Sequence, residues 1–471
     1  MYDQTRQYRC TIIRGKAQRD MDNLLPAYAT VLNDICPCEK ADFQQAFDEA
    51  FRKYLPDDTT QKTLDNHRTE ISGKLFGMYF CADDGYVYAS ERTQKYFADS
   101  DAPAFFKDIC YKMQFPNGTQ TIGTVLDRLD HGIRIRPNAF LLKVLQIADS
   151  KSIFLSKKEL GYYILNSLDV LQGKATPLEV FDAIILDRKR NIQRTIHSPG
   201  KASSYDWQHI NEQINMLELA NLVIICDNTV KLNLKELSAI EKFTADATIA
   251  PSFDVYSYDL STKEGREQFY FDWAVYFGSL SDKAESFSTD IASLIDIADT
   301  NAEEDGESEG GTDNTTVIGD EGEKYVLAYE KKRVSNFNSR LINKVIHLGK
   351  TKGLGFDIQS VIAEPGEYAE FVKYIEVKST KRITAPDIND VLWFDTINLT
   401  RNEWIAAKQH GSFYHIYRVY FTREQIIIFI ISDINQKDKD GIINAVPTMY
   451  RIDFRNDAVN QVIVNGEVQN V

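Results

Sequence analysis

The stretch GLGFDI, Gly353 to Ile358, followed twelve residues later by FVKYIEVKST, Phe371 to Thr380, decides how the last third of this chain is read. Both segments read as strands. In the second, the two-residue period puts Glu376 and Lys378 on one face, about 7 Å apart along the chain, with Ile375 and Val377 on the other. Upstream, DEGEKYVLAYEKK has helical spacing over Asp320 to Lys332. It turns Val326, Leu327 and Tyr329 toward a core and leaves Glu323 and Glu330 nearly in line along one face.

Those residue types suit metal chemistry. Asp357 and Glu376 offer hard oxygen donors for Mg²⁺ or its substitute Mn²⁺, and the main-chain carbonyl of Val377 adds a third. Lys378 would stand beside an attacking water. A lone Glu-Val-Lys says little, because any amphipathic strand alternates acid and base. The weight comes from order: an acidic helix, an Asp on a Gly-flanked strand, then Glu-x-Lys on the next strand. For Glu323 alone, a helix N-terminal acid complementing the macrodipole is an equal reading.

Asp357, then 18 intervening residues, then Glu376-x-Lys378, resembles the PD-(D/E)XK nuclease superfamily. The succession GDEGEKYVLAYE, GLGFDI, YIEVKST, LTRNEW and YHIYRV also resembles the uncharacterised nuclease-like domain appended to bacterial restriction and helicase proteins. The resemblance runs from Gly319 to near Val471 and touches none of the first 300 residues. It implies an α/β nuclease domain with Asp357, Glu376 and Lys378 as the catalytic triplet and Glu323 as the first-helix acid. It also implies metal-assisted phosphodiester hydrolysis that leaves a 5′-phosphate. Phe356 stands where the superfamily has Pro. Thr400 to Trp404 match the family's next helix start, and Thr400 with Glu403 independently reads as a capping box.

Upstream, residues 1–130 read as mainly helical, with a hairpin around Met78 to Ser90 turning at Asp83-Asp84-Gly85. From Arg136 to His197 helix signals sharpen. Pro137 opens an apolar-periodic segment, and Ser156 with Glu159 and Thr176 with Glu179 form capping boxes. The last of these helices ends in the basic cluster Arg188, Lys189, Arg190 and Arg194. A further helix, Ser204 to Ala220, leads into LVIICDNTVKLNL, a hairpin joined at Asp227-Asn228. Helices followed by a two-stranded wing suggest a winged-helix-like DNA-recognition region over 131–245, with the basic cluster and Lys231 on DNA. A helical protein-interaction scaffold is the competing reading.

Composition is ordinary for a globular protein, with 43% hydrophobic and 26% charged residues over a length that suggests several domains. The net charge of −15 argues against a nucleic-acid partner, but eight acids and no base lie between Asp296 and Asp313, about half of that excess. Beyond Gly319 the chain is roughly neutral, which leaves room for a local basic groove. Asn301 to Thr316 is acidic, Gly-rich and without large apolar residues, hence expected to be a flexible linker within a connecting segment, 246–318. No apolar run is long enough to cross a bilayer and no signal peptide is visible, so a cytoplasmic location is expected. The six cysteines lack zinc or redox spacing, and no P-loop or dinucleotide fingerprint appears, so no nucleotide cofactor is expected. His347, His410 and His415 read as structural or surface residues.

The expected architecture is therefore multidomain α+β: a helical N-terminal part, winged-helix-like modules, an acidic linker and a C-terminal α/β nuclease domain over 319–471. The expected activity is a Mg²⁺-dependent, type II-like restriction endonuclease acting on double-stranded DNA as a homodimer. A non-catalytic DNA-binding or assembly subunit of a phage-defence complex, or a nuclease dependent on a partner ATPase, is the alternative.

Overall fold

The computed structural model describes residues 7–10, 17–194, 203–245, 247–294, 314–349, 353–363, 371–387, 389–390, 393–446, 462–464 and 467–469. The first helix, α1 (Gln18–Ile35), buries Met21, Leu25, Tyr28 and Leu32 on one stripe at near-four-residue spacing. These side chains join a single apolar core that runs from Cys10 to Phe287 and unites the early helices with the middle of the chain. The expected hairpin is present as Tyr79–Cys81 against Tyr86–Ala89, with Gly85 at φ 86° in its turn.

In the middle region, β1 (Leu155–Ser156) precedes two helices, α2 (Pro177–Lys189) and α3 (Ser203–Leu219), and then the hairpin β2 (Val223–Cys226) and β3 (Thr229–Leu232). Strand order is β1-β3-β2, all antiparallel. Asp227 takes φ 54° in the hairpin turn, a conformation Asp tolerates. Both capping boxes close reciprocally: Ser156 with Glu159, and Thr176 with Glu179, where Pro177 supplies the first helical position.

The C-terminal part is a five-stranded sheet with helix α4 (Asn314–Asn338) against one face and α5 (Arg401–His410) on the other side. Its strands are β4 (Ile346–His347), β5 (Ile358–Val361), β6 (Val372–Lys381), β7 (Tyr414–Phe421) and β8 (Ile426–Ser432), in the order β8-β7-β6-β5-β4. Only β6 and β7 run parallel, and α5 lies within the connection that parallel strands require.

Two expectations need correction, and a third lies mostly outside the described residues. The strand expected over Gly353 to Ile358 begins only at Ile358, because Gly353 and Gly355 hold φ of 96° and 77°, incompatible with extended backbone. At Gly355 any side chain would strike the main chain of Asn402, so a glycine is what lets this turn pass beneath α5. On α4, Val326 is buried and Leu327 partly so, but Tyr329 is 42% exposed. The inward stripe is Val326, Glu330 and Val334, and the fully buried Glu330 accepts from Arg333, Ser360 and Tyr417 at 2.6–2.7 Å. Finally, most of the expected linker, 301–313, lies outside the described residues, while Asn314 to Thr316 are helical.

The end of β6 is built into the N-terminal body. Thr380 Oγ1 and the Lys381 N–H both donate to the Ser100 carbonyl at 3.0 and 3.2 Å, and Lys381 Nζ donates to the Thr289 carbonyl. Arg382 reaches Asn23 on α1 at 2.6 Å, and Thr384 donates twice to Asp22 at 2.9 Å. From the β7–β8 turn, Arg423 engages Glu218 and Asn221 at 3.0 Å each and the Val223 carbonyl at 3.1 Å. Among the described residues no helix is long and apolar enough to cross a membrane.

Candidate active site

Where β5 meets β6, Asp357 stands one residue before its strand. Its main-chain N–H donates to the Ile375 carbonyl at 2.9 Å and its carbonyl accepts from Leu348 at 2.6 Å. Its side chain therefore turns toward β6, where Oδ2 accepts the Val377 N–H at 2.8 Å. That places the Asp357 carboxylate beside the peptide separating Glu376 from Lys378. The spacing argument for β6 holds at this point: Lys378 Nζ lies 2.6 Å from Glu376 Oε1.

Glu376 is 2% exposed, and its second oxygen, Oε2, is buried without a hydrogen-bond partner among the described residues. Burial pushes the Glu376 carboxyl well above the usual range, and the charges of Asp357 and Glu403 add to this against the Lys378 ammonium. Burial likewise raises Asp357, to about 6; Glu323 and Glu403 add to the rise, against the Val377 N–H and Lys378. For Lys378 burial acts downward, but Glu376 and Glu403 outweigh it and leave the ammonium above its ordinary value. The cluster thus sets several carboxyl groups around the Lys378 ammonium, a field that attracts a cation.

A divalent ion fits that donor set. Glu376 Oε2, without a hydrogen-bond partner among the described residues, and the Asp357 carboxylate are hard oxygens at neighbouring places on the sheet, and the Val377 carbonyl follows Glu376 directly in sequence. Among the described residues no three His, Cys, Asp or Glu side chains form a metal-holding group, so main-chain oxygen, water and substrate would complete the shell, as Mg²⁺ prefers.

Glu323 reaches the same neighbourhood from α4, and its charge is felt at Asp357. Its carboxylate is bound to His347 Nε2 at 2.5 Å, and Gly349 leaves the room it occupies, since a Cβ there would lie 2.3 Å from Glu323 Oε2. His347, read from sequence as a structural or surface residue, is therefore the side chain that holds Glu323. Glu403 was legible only as a capping residue. It does close the box with Thr400, and its Oε2 is also 3.0 Å from Lys378 Nζ.

The expected DNA contacts divide. Arg188 is paired with Glu159 through two bonds at 2.6 and 2.7 Å, and Arg194 with Asp187 at 2.6 Å. Arg188 also donates to the Phe154 carbonyl at 2.8 Å, while Lys231 Nζ lies 4.3 Å over the Phe154 ring. Phe154 itself is 51% exposed, so an aromatic edge is framed by two cations near β1. Lys189 and Arg190 are exposed at the end of α2.

The described residues thus form a helical body bearing small antiparallel sheets, bonded to a five-stranded sheet that carries carboxylates around Lys378. The chain belongs to the family described as restriction endonuclease BpuJI, N terminal, whose model matches residues 2–274. A second family model, described as protein NO VEIN, C-terminal, matches residues 322–431. Among solved structures, the chain is similar to the BpuJ1 endonuclease binding domain, crystallised in complex with pyrene- and phenanthrene-modified DNA. Identity is 49%, the match covers 59% of this chain and 100% of that one, and the TM-score is 0.57. Comparison with curated proteins finds no match. The chain is thus a restriction-endonuclease-related protein.

Proposed function

We propose that this chain is a divalent-metal-dependent DNA endonuclease of the restriction type, whose N-terminal body and winged-helix-like middle bind double-stranded DNA. Its C-terminal sheet, read as a PD-(D/E)XK domain, hydrolyses the phosphodiester bond. The observation that carries the reading is the meeting of Asp357, Glu376 and Lys378 where the two strands join, with Glu376 Oε2 buried and without a hydrogen-bond partner among the described residues. Membership in the BpuJI family and likeness to a domain crystallised on DNA support the binding half.

Asp357, Glu376 and the Val377 carbonyl would hold Mg²⁺ or Mn²⁺. Such an ion supplies charge neutralisation at the phosphate and a lowered pKa for water. Lys378 orients the attacking water through its N–H donors and offsets charge developing on the phosphate oxygens. Glu323, fixed by His347, borders the pocket and adds to its negative potential. Cutting both strands would engage two copies of the chain, one per strand.

The test is incubation of the purified chain with plasmid and Mg²⁺, without ATP, followed by sequencing of fragment ends from methylated and unmethylated DNA. Discrete ends that require metal are expected. DNA binding with no cleavage would assign the chain to the non-catalytic class, and cleavage only with an ATPase partner to a subunit role.

A further inference from the structure

Lys378 is held by two carboxylates, and only one of them belongs to the strand pair that forms the pocket. The second, Glu403, comes from the first turn of α5 and is itself immobilised. Its Oε2 accepts the Thr400 N–H at 2.9 Å, its own N–H donates to Thr400 Oγ1 at 3.3 Å, and its side chain is 15% exposed. A helix N-terminus thus fixes one oxygen, which then sits 3.0 Å from Lys378 Nζ while Glu376 Oε1 sits 2.6 Å away on another side.

We infer that Glu403 is a positioning residue for Lys378: it holds the ammonium from a second side, so that Nζ sits in one fixed place between two carboxylates. This rests on the nuclease reading above. The physical argument is competition. An ammonium bonded only to Glu376 would neutralise the carboxylate that a divalent ion needs, whereas one shared with a rigid second carboxylate has a defined place beside it. Capping alone does not require this arrangement, because a capping box needs Glu403 to face Thr400, not Lys378.

Glu403→Gln separates the two roles, since Gln at this position still closes a capping box but carries no charge for Lys378. In the full chain acting on plasmid with Mg²⁺, the variant should lose roughly 10- to 100-fold in kcat, as supporting residues around metal sites commonly do. KM, plasmid affinity in Ca²⁺ and thermal midpoint should be unchanged, and Glu403→Asp should restore part of the rate. Independently of turnover, a metal-free crystal structure of Glu403→Gln should show Lys378 Nζ displaced from its place between the two carboxylates, with the 3.0 Å contact to position 403 lost. A variant with wild-type kcat, or with Lys378 unmoved in the metal-free crystal, overturns the inference while leaving the nuclease reading intact. A wild-type chain that never cleaves overturns that reading instead.

Discussion

Asp357 Oδ2 accepts the main-chain N–H of Val377 at 2.8 Å, so a carboxylate from the start of one strand is pinned to the peptide between Glu376 and Lys378. Removing that carboxylate strips the pocket of one of two side-chain donors without touching the N-terminal body. Asp357→Ala should therefore lower Mg²⁺-dependent plasmid cleavage by about 100-fold or more, and Lys378→Ala should do the same. Gel-shift affinity should stay near wild type. Cleavage that survives Asp357→Ala within a few-fold would remove this pocket from the reaction.

The same carboxylates repel one another when no cation is present, since Asp357, Glu376 and Glu403 surround the single ammonium of Lys378. A bound ion should therefore stabilise the fold. At a concentration about 100 times Kd the gain is about 2.7 kcal/mol, which raises Tm by a few degrees. Differential scanning fluorimetry should show a Mg²⁺-induced rise that EDTA reverses and that Asp357→Ala lacks. An equal rise in both proteins would place the ion elsewhere.

The pocket was legible in the sequence to the extent that it depends on local periodicity. A strand's two-residue alternation sets Glu376 beside Lys378, and chain order supplies Asp357. Glu403 was hidden because Thr400-x-x-Glu403 is fully explained as a helix start, and nothing local shows that the same oxygen also meets a lysine 25 positions earlier. The burial of Glu330 was hidden for a related reason. Burying a carboxylate is tolerable only with donors such as Ser360 and Tyr417, which come from other strands. Contacts such as Asp22 to Thr384 join residues 362 apart and have no local signature at all.

Arg423 joins the C-terminal sheet to the end of α3 and the base of the β2–β3 hairpin, with bonds to Glu218, Asn221 and Val223. Its side chain is 17% exposed, so deleting it leaves the Glu218 carboxylate and two further acceptors poorly solvated. Arg423→Ala should destabilise the chain by about 3 kcal/mol in calorimetry. Arg423→Lys should rescue little, because one ammonium cannot reproduce the guanidinium fork. A loss below about 0.5 kcal/mol, the range of exposed pairs, would mean that this contact does not hold the two parts together.

Lys189 and Arg190 project into solvent, whereas Arg188 and Arg194 are engaged by Glu159 and Asp187. If the end of α2 lies on DNA, Lys189→Ala and Arg190→Ala should each weaken binding on every sequence and lower the slope of log K against log salt by about 1. Arg188→Ala should instead lower thermal stability, because Glu159 loses its partner. Fluorescence anisotropy at a series of salt concentrations reads the slopes. Unchanged slopes for both exposed residues would move the DNA to another face.

His415 on β7 is half-buried, and its Nδ1 has no hydrogen-bond partner among the described residues. Burial, with Lys373 and Arg333 nearby, lowers its pKa to about 4, while Glu330 opposes the shift. An unfolded histidine titrates near about 6.5. Between those two values the unfolded chain binds a proton that the folded chain refuses, so His415 makes stability fall as pH drops from about 6.5 toward 4. The full effect is about 3 kcal/mol before discounting and smaller once solvent screening of this half-buried ring is allowed for. In urea unfolding at pH 7.0 and 5.5, conditions we choose to stay above most carboxylate titrations, wild type should lose more stability on acidification than His415→Gln. Parallel losses in the two proteins would show that the ring is already protonated in the fold, and that the apolar side of β7 admits water.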